Sequence, residues 1–434
     1  MNTIAIKEEK RNKKILLVSM SFLLSILFFR DIFHLTFNNI YVTIFIGLIC
    51  VFLNTKNMAN FIGLLFPLSL GGIQIGYVGL TIAILLLLRL HLRIKPALFF
   101  LVYIGIEVIH YINYPASIHV EKSINTVVTY LSLVLISICL LTQKRNKIDI
   151  VEFVKFFCYG AGFLCTMSVL NCINIFGIAS VFSGMSRLQT SLISEETSYE
   201  TSLMLIANAN ALAYFSIVGA SCVIALNLKK KVSNQWALIM LGLLLISGLT
   251  YVSRTWMILT VLNLLLVMGS GFRSNKTLVL SVCFILLIVF VGGAFGHFLD
   301  AFQNRFDDPE FVRGGSRAHI FDYYNKYLLD HKDALLFGVG AVFYSDVIGY
   351  EHSIHNGLQQ VIVAYGLIGG LFVLFFFFAV CFTKIKKIDI TLIAPLFTTL
   401  FFLQTIQVLM PYSQLLPLVP SALLLELSAQ KETR

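Results

Sequence analysis

The chain has 434 residues, of which 58% are hydrophobic and only 12% charged, with a formal net charge of +10 and a mean hydropathy of +0.87. A soluble globular domain carries about twice that charged fraction, so a water-soluble enzyme is excluded. The basic excess does not point to nucleic acid either, because it lies in short breaks between apolar runs, as a topology signal does.

Apolar runs recur from end to end, many near the roughly 20 residues that cross a bilayer core. In hydrocarbon every backbone group must be paired within its own segment, so the expected fold is all-α, a polytopic helical bundle. Fourteen stretches qualify: 15–33, 40–53, 58–71, 74–90, 97–113, 122–142, 151–176, 203–226, 235–251, 255–271, 276–296, 357–383, 389–409 and 413–428. The basic head before the first of these is followed by no small-residue cleavage site, which predicts a retained helix. The second and third are short enough to be tilted, re-entrant or one broken element.

Three parts follow from this division. Residues 1–296 hold spans 1–11 with a smaller outer loop at 177–202. Residues 297–356 form a large extracytoplasmic loop with an amphipathic helix, and residues 357–434 hold spans 12–14 and a cytoplasmic C-terminus. Alternate breaks carry Lys7 to Lys14, Lys56, Arg89 to Lys95, Lys144 to Lys147, Lys229 to Lys231, Arg273/Lys276, Lys384 to Lys387 and Lys431/Arg434. The intervening segments carry only Arg30, Lys122, Arg187, Arg254, Arg305, Arg313, Arg317, Lys326 and Lys332, an asymmetry that places both termini in the cytoplasm. All eight cysteines sit in apolar runs with no Cys-x-x-Cys pair, so neither a disulfide nor a metal site is expected.

Outside, where base is disfavoured, arginine gathers around 177–202, 297–356 and the turn Tyr251-Val252-Ser253-Arg254. Ser253 is placed to cap the next helix with Arg254 in its first turn. Arg187 precedes Asn210, near the outer end of the eighth span. Gly314-Gly315-Ser316-Arg317 opens a helix whose Ile320, Tyr323, Tyr324, Tyr327 and Leu328 fall on one face. His352-Ser353-Ile354-His355-Asn356-Gly357 stands before the twelfth span, with Asn356 as its N-cap. Guanidinium groups beside helix N-termini favour an anion, which at this depth is a lipid phosphate or pyrophosphate. A nearby histidine can take a proton from a hydroxyl.

Each of these residues also has a plainer use. Arg254 can snorkel to headgroups, Arg317 can be a surface contact, and Arg305 and Arg313 solvated loop charge. Tyr323, Tyr324 and Tyr327 suit interfacial anchoring, though tyrosine also stacks on sugar rings. His355 adjoins the cap and is preferred, with His352 its competitor. Glu107 and His110, three residues apart near the outer end of the fifth span, form the alternative site. They read either as a proton relay or as a hydrogen-bonded structural pair, and Arg30 beside Asp31 reads as the structural kind.

Taken in order, Arg187, Asn210, Ser253-Arg254, Arg317, Gly338-Val339-Gly340 and His355-Asn356 before Gly366-Leu367 resemble the bacterial O-antigen ligase/Wzy-type polymerase superfamily. The likeness covers about residues 180–375, and its specificity lies in the order of short motifs. The segment between Arg187 and Asn210, with Glu195, Glu196 and Glu200, is longer and more acidic than that pattern. The resemblance implies a GT-C-like glycosyltransferase acting on undecaprenyl-pyrophosphate-linked glycans at the outer face of the bacterial cytoplasmic membrane, with no metal and no other cofactor. It implies that Arg254, Arg317 and more weakly Arg187 hold the pyrophosphate, and that His355 accepts the proton or orients the acceptor sugar. The expected function is polymerisation of repeat units into a surface polysaccharide of O-antigen or capsule type. The expected partners are lipid-linked donor and acceptor, the bilayer and a chain-length regulator protein, and not nucleic acid. Ligase-type transfer to another acceptor is the nearest alternative, and a lipid-linked oligosaccharide flippase the more distant one.

Overall fold

The computed structural model describes residues 2–33, 35, 39–68, 76–90, 94–121, 124–143, 148–178, 209–251, 253–271, 315–350, 352, 354–385, 388–405 and 416–429. The first half holds α1 (Asn2–Ile32), α2 (Asn39–Phe52), α3 (Thr55–Leu68), α4 (Gly76–Arg89), α5 (Ile94–Asn113), α6 (Ala116–Glu121), α7 (Ile124–Thr142) and α8 (Ile150–Phe176). The second holds α9 (Ala209–Leu228), α10 (Asn234–Thr250) and α11 (Arg254–Leu266), then α12 (Gly315–Asp330), α13 (Lys332–Phe337) and α14 (Tyr344–Ile348). It ends with α15 (Gly357–Lys384), α16 (Ile390–Leu403) and α17 (Leu418–Leu424). No β-strand occurs among the described residues.

The protein is an all-α membrane protein. Among the described residues, four helical stretches are long and apolar enough to cross a bilayer: Glu9–Ile32, Ile150–Phe176, Ala209–Leu228 and Gly357–Cys381. Most other expected spans coincide with shorter apolar helices. The stretch 276–296 lies outside the described residues. Helices α2, α3, α4 and α16 have 14 residues each. At 1.5 Å per residue such a helix covers about 21 Å, less than the roughly 30 Å hydrocarbon core.

The core is built around α8 and α9. Helix α9 is apolar on every face and rich in small residues, so neighbours approach it from all sides, and it is buried almost throughout. Helix α8 packs on α3, α9 and α10. At the α3–α8 crossing the backbones nearly touch: a Cβ on Gly160 would collide with the Leu64 carbonyl, and one on Gly63 would sit 2.8 Å from the Phe153 carbonyl oxygen. Several polar side chains in the core are paired across helices. Trp256 Nε1 donates to Ser216 Oγ at 3.0 Å, and Ser216 Oγ donates to the Leu244 carbonyl at 2.6 Å. Asn263 Nδ2 donates to Thr398 Oγ1 at 3.2 Å.

Basic residues tie down one end of the bundle. The Arg89 guanidinium caps the C-terminus of α2, donating to the Leu53 carbonyl at 2.7 Å and the Val51 carbonyl at 2.9 Å. Lys229 pairs with Asp389 and Lys384 with Glu426. Arg30 and Asp31 form a fully buried ion pair at 2.8 Å near the end of α1. This is the structural pairing expected of them, and removing either partner would strand a buried charge.

The loop before α15 has a small core of its own. Ile320, Tyr324 and Leu328 of α12 pack with Tyr344, Ile348 and Val363. The expected amphipathic face is thus present, but its two halves differ: Tyr324 is buried whereas Tyr323 is 40% exposed. The sequence reads 357–383 as one uninterrupted span. Instead α15 breaks at Gly366, where φ is 67° and ψ −174°, backbone geometry that is essentially glycine-only. The interrupted backbone is repaired by the loop. Val339 N donates to the Val363 carbonyl and Gly340 N to the Ala364 carbonyl, both at 2.9 Å. A Cβ on Gly366 would collide with Leu336, and one on Gly338 with Ala364, so the two chains meet glycine to backbone. Residues 340–343 are buried non-helical chain lying against α5 and α15. Irregular backbone survives at membrane depth only with such partners.

Candidate functional site

The N-terminus of α15 is the best-defined end in the expected constellation. Asn356 caps it as expected, its Oδ1 accepting from the Gln359 N–H at 2.9 Å. Gln359 Nε2 then donates to the Phe321 carbonyl at 2.7 Å and to Asn325 Oδ1 at 2.9 Å, locking α12 onto the first turn of α15. His355 stands half-buried just before the cap, while His352 is exposed.

His352 belongs to an aromatic group on the loop. Tyr323 stacks on Tyr350 with centroids 3.9 Å apart, and the His352 ring meets Tyr350 edge-on at 5.5 Å. The Tyr324 hydroxyl donates to the His352 carbonyl at 2.8 Å. Burial, reinforced by neighbouring Tyr344, Tyr350, Tyr323 and Asp346, pushes the Tyr324 phenol up, so it stays neutral and remains a donor. Tyr344 donates nothing to this bond but accepts the Ile354 N–H on its hydroxyl at 3.0 Å. These contacts hold His352 and Ile354 close to the cap.

Arg254 is the first residue of α11, as expected, and is half-buried. Ser253 occupies the N-cap position but its hydroxyl makes no cap bond. Thr255 Oγ1 donates to Thr405 Oγ1 at 3.2 Å, joining this helix start to the end of α16. Gln404, the neighbour of Thr405, lines a cavity together with Gly357 and Leu358. The start of α11 thus adjoins the C-terminal end of α16, whose Gln404 shares the cavity lining with the start of α15. Asn210 lies in the first turn of α9, half-buried. Arg317 lies on α12, and Arg187 falls outside the described residues.

The cavity has a volume of about 200 Å³ and follows α15 from Gly357 to Val380. That is about 35 Å of helix at 1.5 Å per residue. Its walls come from α7, α15, α16 and α17, with Tyr103 from α5, and are almost wholly aliphatic and aromatic. A chain of isoprene or acyl units fits such a slot, although its volume holds only a portion of a long polyprenyl tail. The remainder would lie in the surrounding lipid.

The chain matches no family model, no curated protein and no solved structure. The chemistry of the site must therefore be argued from its residues.

One group at the side of the cavity differs from expectation. Tyr103, Tyr130 and Tyr365 line it and bring their hydroxyls together: Tyr103 contacts both others, and Tyr130 meets Tyr365 at 2.8 Å. Near them Glu107 is only 2% exposed, and its Oε1 has no hydrogen-bond partner among the described residues. No hydrogen bond joins Glu107 to His110 among the described residues, so the reading of them as a hydrogen-bonded pair is not borne out. Apolar-run tyrosines give no sign of this group in the sequence.

Proposed function

We propose that the protein is a membrane glycosyltransferase that polymerises polyprenyl-pyrophosphate-linked oligosaccharide repeat units into a surface polysaccharide at the outer face of a bacterial cytoplasmic membrane. The carrying observation is the apolar cavity along α15, with the His355-Asn356 cap at one end and the Arg254 helix start beside it. A lipid tail in that cavity would hold its pyrophosphate where guanidinium and helix N–H groups favour an anion. The resemblance in motif order supports the same reading and implies a GT-C-like architecture, and the apolar runs and charge pattern suggest fourteen spans with both termini inside.

In the proposed reaction, an acceptor sugar hydroxyl attacks the anomeric carbon of the lipid-linked chain. A new C–O glycosidic bond forms and the bond from that carbon to the pyrophosphate oxygen breaks. His355 takes the hydroxyl proton, and polyprenyl pyrophosphate leaves with its negative charge held by Arg254 and Arg317, with Arg187 a further candidate. Direct displacement inverts the anomeric carbon. Catalysis then rests on positioning two lipid-tethered substrates and stabilising the leaving group. A chain-length regulator is the expected protein partner.

The test is purified protein in lipid vesicles with its native lipid-linked repeat unit, with and without chelator, the product being resolved on a gel. A ladder of lengthening lipid-linked chains, unchanged by chelator, supports the proposal. A single transfer to another acceptor would make the protein a ligase. Relocation of intact substrate across the vesicle would make it a flippase. No covalent product from the native substrate would overturn the transferase reading.

A further inference from the structure

Helix α12 has three sides, and two of them are accounted for. Ile320, Tyr324 and Leu328 face the small core of the loop. Phe321 and Asn325 meet α15 through Gln359, and Leu329, four residues beyond Asn325, continues that strip at 70% exposure. The third side carries rings. His319, Tyr323 and Tyr327 are four residues apart, and His331, whose N–H still donates to the Tyr327 carbonyl, is the next in the series. Residues at that spacing are neighbours on a helix surface, so the rings form a ridge about 18 Å long at 1.5 Å per residue. Tyr323 stacks face to face on Tyr350, with centroids 3.9 Å apart. The buried Tyr324 ring stands nearly perpendicular to both, at 6.0 and 5.7 Å, and gives the pair a fixed support. Tyr327 stacks on His331 with centroids 4.2 Å apart. His319, Tyr323 and His331 are exposed, and Tyr327 and Tyr350 are partly so.

Rings held in place before a ligand arrives offer contact area at little cost in conformational entropy. Two kinds of occupant suit exposed tyrosine rings, lipid headgroups and sugars. The neighbouring strip decides between them. Asp322, Lys326 and Asp330 each follow a ring by three residues, which places them beside it, and all three are exposed. Two carboxylates and an ammonium make a poor border for a lipid-facing strip. The exposed apolar side chains of α12, Phe321 and Leu329, lie instead on the strip toward α15. Flat rings bordered by charged hydrogen-bonding groups match a sugar, which has an apolar C–H face and a rim of hydroxyls. The ridge is also continuous with the candidate site. His352 meets Tyr350 edge-on at 5.5 Å, and Asn356, four residues later, caps α15. We propose that this ridge is a glycan-binding subsite: the oligosaccharide of a lipid-linked substrate stacks on Tyr323 and Tyr327, and Asp322, Lys326 and Asp330 bond its hydroxyls. The assignment of that substrate rests on the transferase reading.

The experiment has two arms, both with the protein in lipid nanodiscs. In the first, the free oligosaccharide released by mild acid from the native lipid-linked repeat unit, carrying neither lipid nor pyrophosphate, is titrated and its binding followed by saturation-transfer NMR. In the second, steady-state transfer of the intact substrate is measured. The parent should bind the free oligosaccharide, and a two-unit oligosaccharide more tightly than a single unit. Tyr323→Ala should weaken binding about three- to tenfold, with helical circular dichroism unchanged because the side chain lies at the surface. Tyr323→Leu should do the same, since leucine keeps apolar area but not a flat face, whereas Tyr323→Phe should stay within about twofold of the parent. In the second arm Tyr323→Ala should raise KM with kcat nearly unchanged, the signature of binding lost equally in ground and transition states. Absence of oligosaccharide binding by the parent would overturn the proposal, as would Tyr323→Ala binding like the parent. A leucine variant that binds as well as the phenylalanine one would overturn it too, because apolar area alone would then suffice, as for a headgroup anchor. Ring-dependent binding without transfer would leave the subsite standing and sink the transferase reading, and transfer with binding indifferent to Tyr323 would do the reverse.

Discussion

At the level of single side chains, the two histidines separate by surroundings. His355 is half-buried beside the α15 cap, whereas His352 is exposed and its carbonyl is committed to Tyr324. His355→Ala should abolish chain extension, and His352→Ala should retain it within a few-fold, as gel-resolved product will show. Arg254 offers a planar fork for a pyrophosphate, which lysine cannot reproduce. Arg254→Lys should therefore lower transfer nearly as far as Arg254→Ala, with helical circular dichroism unchanged in both. Asn356→Ala should cost about 1 kcal/mol of local helix stability, seen as faster exchange at the Leu358 to Gln360 amides. The cap at Asn356 was legible because a short polar residue stands immediately before an apolar helix. Ser253 was legible in position, but a cap bond depends on rotamer and surroundings that the sequence does not specify. Glu107 drew notice as a carboxyl in an apolar run. The tyrosine cluster did not, because contacts such as Tyr103 with Tyr365 span 262 positions.

Among elements, α15 is where reading and structure part. A run such as Tyr365-Gly366-Leu367-Ile368-Gly369-Gly370 is common in unbroken membrane helices, where glycine serves close packing. What marks Gly366 as a break is its partner chain, Leu336 to Gly340, brought in from the loop. Gly366→Ala should destabilise the protein by at least about 2 kcal/mol, through glycine-only backbone geometry and collision with Leu336. Gly242→Ala on α10, where a Cβ meets nothing within 4 Å, is the control. Thermal unfolding in detergent would show a marked loss for the first and a small one for the second. The α3–α8 crossing makes a parallel case. Gly160→Val should separate the helices, because Leu64 backbone, which cannot yield as a side chain can, occupies the space. The all-helical class, the positions of most helices and the amphipathic face of α12 followed from period and composition. Helix breaks and crossings did not, since both are set by contacts distant in the chain.

For the whole molecule, the arrangement divides the labour between two ends and a slot. Lysine and arginine pairs secure one end, while the loop, the α15 cap and the α11 start share the other. Between them the cavity runs along α15, and its walls are what the proposed function requires of a lipid-linked substrate. Ser137 lines the cavity with its hydroxyl turned back to the Leu133 carbonyl at 2.8 Å. Ser137→Phe would fill the slot and should raise KM for a long-tailed donor by about tenfold while leaving kcat close to normal, since such binding is lost equally in ground and transition states. The apolar runs were legible in the sequence but the slot was not, because it exists only where α5, α7, α15, α16 and α17 fail to close on one another.

The most direct measurement is photocrosslinking with a polyprenyl-pyrophosphate glycan carrying a diazirine in its tail near the pyrophosphate, followed by peptide mapping. Adducts concentrated on the cavity-facing residues of α7 and α15, such as Leu133, Ser137 and Val361, and suppressed by unlabelled substrate and by Ser137→Phe, are the predicted result. Adducts spread evenly over lipid-facing helices, or unaffected by competitor, would contradict the account, because the cavity would then not be where the lipid carrier sits.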